Sequence, residues 1–167
     1  MKKFLVIIFS FIGFLAFGQE SKLDRINSQV NLIESGSTLT LTEFDWVELT
    51  GITTDGGGII TVWRNDSQLC KIVEEIGFSY GRIRTTIYLK NETPIKIIET
   101  EENFGFKNDE LDYKKLNEVF RATIYVFDWE NDKSEIQRIG KRVLSEGTCA
   151  TFDYEPSIER AKKATTK

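Results

Sequence analysis

The chain has 167 residues, 40% of them hydrophobic, with 22 Lys and Arg against 26 Asp and Glu, a formal charge of −4. An acidic balance without a basic stripe repels phosphate backbones and anionic headgroups, which argues against nucleic acid or a charged membrane surface as the partner. Histidine is absent, so the usual general base near neutral pH is missing, and with it every Ser-His-Asp or Cys-His arrangement.

Met1-Lys2-Lys3 precedes an uncharged run from Phe4 to Phe17. The run is shorter than the roughly 20 apolar residues that span a bilayer, and the small residues Ala16 and Gly18 suit a cleavage site before Gln19. The expectation is a signal peptide over residues 1–18 and a mature protein with no transmembrane span, periplasmic or secreted; an uncleaved anchor is the alternative. Cleavage removes Lys2 and Lys3 and moves the formal charge to −6. Residues 19–167 suit a single globular domain with its own core and are few for two.

Residues 19–35 carry Leu23, Ile26, Val30 and Ile33 at helical spacing, with Ser21 three residues before Asp24 and Gly36 placed as a stop. This predicts an amphipathic helix whose apolar stripe shelters one face of a sheet. From Thr38 the period falls to two: Thr38, Thr40 and Thr42 alternate with Leu39 and Leu41, and Phe44 and Trp46 continue the strand in a shifted register. The Asp55-Gly56-Gly57-Gly58 turn, supplying positive φ, leads into Ile59 to Trp63, a turn at Asn65-Asp66, and Leu69 to Val73.

The unit recurs 26 positions later, with Arg82 to Lys90 turning at Asn91-Glu92 into Ile95 to Ile98. A looser third copy runs from Val119 to Phe127, turns through Glu130-Asn131-Asp132 and returns through Ile136 to Ile139. Residues 101–117, acidic with scattered Phe104, Phe106 and Tyr113, read as a long connection with one helical turn, its aromatics tucked under the sheet. A short closing helix is expected over residues 156–164, opened by Pro156, with a frayed tail beyond it. The fold class is therefore α+β: an N-terminal amphipathic helix packed on an antiparallel β-meander of about six to eight strands.

The segments Asp55-Gly56-Gly57, Ile60 to Trp63, Leu69 to Val73, Ile87 to Asn91 and Ile124 to Phe127 give the chain a pattern that resembles uncharacterised exported bacterial proteins with a leading helix and successive hairpins. The paired strands are also loosely similar to MORN-type hairpin repeats, with Asp66 and Glu92 where those repeats place glycine. Neither resemblance implies an activity or a functional residue.

Cys70 and Cys149 form an even pair in an exported chain, compatible with one disulfide and equally with a buried thiol at Cys70. Neither a metal site nor a cofactor is expected. Asp128-Trp129-Glu130-Asn131-Asp132 has alternating carboxylates like the start of a calcium loop, but Lys133 stands where that loop needs Gly and Ile139 where it needs Glu, so the segment reads as a turn. Asn65-Asp66-Ser67 and Asn91-Glu92-Thr93 match the glycosylation pattern, at hairpin turns. Most of the large aromatics belong to the core; the exception is Tyr125, Phe127 and Trp129, placed by alternation on a half-polar side that also carries Arg121 and Thr123, and the candidate binding residues are Tyr125, Phe127, Trp129 and Arg121. No catalytic residue is assigned. The leading expectation is a non-catalytic exported module that binds a protein or an envelope polymer. The alternatives are a carboxylate-dependent glycan hydrolase using residues among Glu74, Glu75, Glu99, Glu101 and Glu102, and an inhibitor that inserts a hairpin tip into a secreted hydrolase.

Overall fold

The computed structural model describes residues 22–108 and 110–166; the signal peptide expected at residues 1–18 lies outside them. A helix, α1, runs through residues 22–34. Seven strands follow: β1 (Thr40–Asp45), β2 (Gly58–Asn65), β3 (Gln68–Phe78), β4 (Gly81–Lys90), β5 (Thr93–Lys107), β6 (Glu110–Asp128) and β7 (Lys133–Gly140). They form one antiparallel sheet in sequence order, the meander that three successive hairpins imply. A short helix, α2 (Trp46–Thr50), sits between β1 and β2, and α3 (Glu155–Thr165) closes the chain after a 3-10 turn at Thr151–Tyr154.

The hairpin tips follow from turn chemistry. Asp66, Asn91, Glu92 and Asp132 all have positive φ, a conformation that Asn and Asp tolerate better than most residues. Both glycosylation-pattern asparagines, Asn65 and Asn91, lie exposed at these tips.

Period-two alternation gives the sheet two different faces. On the face under α3, the cross-strand row Val62, Ile72, Ile87, Ile97, Ile124 and Ile136 forms the centre of the core. Five of the six are fully buried or nearly so, and each such side chain contributes about 1.5–3 kcal/mol of burial. Trp46, Tyr154, Ile158 and Ala161 cover the row from the helical side. On the opposite face the row is Trp63, Lys71, Tyr88, Lys96 and Tyr125, aromatic alternating with lysine. Lys71 Nζ sits 4.6 Å from the Trp63 ring centre and Lys96 Nζ 4.7 Å from that of Tyr125. Helix α1 packs Val30 and Ile33 against Tyr88, and Glu34 accepts hydrogen bonds from Tyr88 Oη (2.6 Å) and Lys71 Nζ (2.7 Å).

The structure corrects two sequence expectations and decides between the alternatives that the sequence leaves open in a third. Trp46 does not extend β1: Asp45 caps a helix by accepting from the Glu48 backbone N–H at 2.9 Å, and Gly51 ends it at φ 70°. Residues 101–117 are not a loop but the continuation of β5 and the start of β6, an arm that reaches past the paired ends of β4 and β7. Register shifts at Glu101/Glu102 and Phe104/Gly105 break the alternation that would have revealed it. Its aromatics are not tucked away: Phe106 is 73% and Tyr113 67% exposed. Third, Cys70 and Cys149 are free thiols on opposite faces of the sheet, Cys70 beside α1 and Cys149 under α3, so no bridge joins them.

Candidate functional site

Two polar regions lie on the α3 side of the sheet. The first is a buried carboxylate cluster. Glu74, Thr85 and Glu99 form the row next to the isoleucines, and Glu101 sits one row further on. These glutamates, at most 7% exposed, occupy positions that alternation reserves for core side chains.

All three are engaged by the C-terminal segment. Glu74 accepts from Trp46 Nε1 at 2.6 Å, from Arg160 Nε at 2.7 Å and Nη2 at 2.9 Å, and from Ser157 Oγ. Glu101 accepts from the backbone N–H groups of Val143 (2.6 Å) and Leu144 (2.8 Å) and from Ser145 Oγ (2.5 Å). Arg142 bonds Glu99, approaches Glu101 at 3.4 Å, and donates to Cys149 Sγ at 2.9 Å. Burial by itself pushes the Glu101 pKa up, yet the bonds from Ser145, Val143 and Leu144 and the nearby Arg142 outweigh it and hold the carboxyl below its ordinary value. The Tyr154 hydroxyl is buried next to Glu99 and Cys149 without aligning on either; burial first, then these two neighbours, raise its pKa far above the usual phenol range.

Glu74 and Glu99 both line a cleft of about 330 Å³ with Arg142 and Arg160. They stand two strands apart, about 9–10 Å along the hydrogen-bonding direction. In this arrangement both are anchors: each holds an arginine that ties residues 142–160 to the sheet. Glu75 projects from the other face, where it pairs with Arg82 at 3.2 Å, and Glu102 bonds the same arginine, so the five glutamates singled out by the hydrolase reading do not converge.

The second region is the end of the sheet that carries the hairpin tips. In the β6–β7 turn, Asp128 accepts from the Asn131 backbone N–H (3.2 Å) and Nδ2 (2.8 Å), which lower its pKa, the side-chain bond more strongly. Asp132 reaches across to the 3-10 turn and accepts from the Thr151 N–H (2.9 Å) and Oγ1 (2.7 Å). That link brings Phe152 beside Trp129. The two rings and the carboxylates of Glu130, Asp132 and Glu155 line a hollow of about 400 Å³. A second hollow of about 330 Å³ shares Trp129 and Glu130 and is completed by Pro94, Ile95 and Phe127. Trp129 thus forms the wall between two open depressions, its inner side packed on the core, while Phe152 is 61% exposed.

Of the four residues selected from sequence, the structure brings Phe127 and Trp129 together and separates the others. Tyr125 is 9% exposed with Lys96 over its ring. Arg121 stands on the same face nearer the arm, ion-paired with Glu118 at 2.5 Å. A register shift between Val126 and Asp128 ends the strict alternation that would have kept Trp129 with Tyr125. The sequence does not single out Phe152; its signal there is a large aromatic two residues after the Thr148-Cys149-Ala150 stretch that precedes the closing helix. Among the described residues no group of three or more His, Cys, Asp or Glu is arranged to hold a metal ion. No described helix is long and apolar enough to cross a membrane. Comparison of the chain with protein-family models, with curated proteins and with solved structures gave no match.

Proposed function

We propose that this is an exported, non-catalytic binding module of the cell envelope, and that the Trp129 end of the sheet is its binding surface. One observation carries the reading: Trp129 and Phe152 offer aromatic surface around adjoining open depressions, next to a turn braced by the hydrogen bonds that Asp128 accepts from Asn131 and Asp132 accepts from Thr151. Rigid aromatics give large contact area at small entropic cost, and a preorganised turn loses little freedom on binding. The buried glutamates support the non-catalytic part, because their oxygens are committed to holding the C-terminal segment.

The test is capture from an envelope extract with the mature chain as bait, run beside Phe152→Ser and, as a control, Phe106→Ser on the distant arm. A partner lost with the first variant and kept with the second is the expected result. Capture indifferent to Phe152 overturns the site. Hydrolysis of envelope glycans by the purified chain, abolished by Glu99→Gln, overturns the non-catalytic reading.

A further inference from the structure

The chain places cations on its aromatic rings repeatedly. Lys71 covers Trp63 at 4.6 Å and Arg160 stands 6.0 Å from the Trp46 ring centre. Two of the three tryptophans thus carry an internal cation, and each of those cations is also held by a glutamate: Lys71 by Glu34, Arg160 by Glu74. Trp129 has the glutamates without the cation. Glu130 and Glu155 line its hollow and make no ion pair among the described residues, and no Lys or Arg is part of the lining. Lys133, the basic residue next to Asp132, is directed to Asp128 Oδ2 at 3.8 Å.

We propose that the Trp129 hollow receives a Lys or Arg side chain presented by a basic segment of a partner protein. The proposal rests on the reading that this end of the sheet is the binding surface, and it names the chemistry of the occupant. The match is one of charge and shape together. Three carboxylates give the hollow a negative potential that attracts a cation and repels an anion. The exposed faces of Trp129 and Phe152 offer a quadrupole for the charged head and an apolar wall for the methylene stem. A neutral sugar would use the rings but leave the carboxylate charge uncompensated.

The probe is an acetyl-capped Gly-Lys-Lys-Gly peptide, compared with the same peptide carrying Nε-acetyl-lysine, each titrated into the mature chain and followed by NMR at the Trp129 indole N–H. The expected result is a saturable shift with the lysine peptide, weakened by salt, and none with the acetylated one. The double variant Glu130→Gln/Glu155→Gln should bind about fivefold more weakly, the effect of roughly 1 kcal/mol of lost charge pairing. Glu102→Gln/Glu118→Gln, on the opposite face, should bind as the parent does. Equal shifts with both peptides, or none with either, overturn the cationic occupant. If the lysine peptide is silent while partner capture still depends on Phe152, the surface stands and the cationic occupant falls; if capture is indifferent to Phe152, the surface itself falls.

Discussion

Glu74 on β3 and Arg160 on α3, 86 residues apart in the chain, meet in a two-pronged ion pair beneath the closing helix. The glutamate side chain is 4% exposed and the arginine 26%. Removing one member of such a pair strands the other, which costs more than the pair itself contributes. Arg160→Met should therefore destabilise the protein by about 3 kcal/mol, lowering the urea midpoint by roughly 1–2 M. Replacing both partners, as Glu74→Leu with Arg160→Met, should recover most of that loss. A single variant with an unchanged midpoint would mean that Trp46 and Ser157 satisfy the carboxylate unaided.

Acid should loosen the hold of the sheet on both the segment around Ser145 and helix α1. The Glu101 carboxyl is held below its ordinary value of 4.5, and so is that of Glu34, which fastens α1 to Lys71 and Tyr88. A group whose folded-state pKa is depressed contributes stability that is present above its unfolded value and lost as pH falls through the folded one. Thermal stability should thus be level above about pH 5 and decline below about 4.5. In Glu101→Gln the neutral side chain cannot titrate, so the decline should be shallower, from a lower starting point. Parallel curves for parent and variant between pH 3 and 6 would show that Glu101 does not contribute to the acid response.

Much of this architecture is legible in the sequence because local and global signals agree. The stripe Ile26, Val30 and Ile33 gives α1, and the alternation around Ile72, Ile87, Ile97 and Ile124 gives the strands and their inner face. The buried glutamates were readable in one respect only: Glu74 is in phase with Ile72 and Ile76, and Glu99 with Ile97. Their partners, Arg142, Ser145, Ser157 and Arg160, are 40 to 90 residues away, and no local rule links them. Helix α2 escapes because five residues are too few to show a period, leaving only the Asp45 cap and Gly51 as signals. Alternation singles out Trp129 but assigns it to the face of Tyr125, since a register shift cannot be seen before the strands are paired.

Gly56 and Gly77 touch backbone to backbone. The Gly56 N–H donates to the Gly77 carbonyl at 3.2 Å, the Gly77 N–H donates to the Gly57 carbonyl at 2.8 Å, and a Cβ on either glycine would lie within 2.8 Å of the other's main chain. Of the run Gly56-Gly57-Gly58 only Gly57 has positive φ, so close approach is what selects the first glycine. Gly77→Ala should cost about 1–3 kcal/mol by forcing the loop before β2 off the end of β3. Hydrogen exchange should show residues 52–58 losing protection while the isoleucine row keeps its own; uniform protection in both would refute the contact.

The two thiols should differ sharply in reactivity. Cys70 is half-buried on the α1 face, whereas Cys149 is fully enclosed on the other, its sulfur bonded to Arg142 Nη2 at 2.9 Å. With the sheet between them they lie beyond the reach of a disulfide unless the fold comes apart. An aromatic disulfide reagent added to unreduced native protein should label one equivalent within minutes, at Cys70. The second should follow only at the rate at which the C-terminal segment opens. In denaturant two equivalents should react at once. Arg160→Met, which weakens that segment, should speed Cys149 labelling without changing Cys70. No reaction in denaturant before reduction would establish a bridge and overturn this placement of the cysteines.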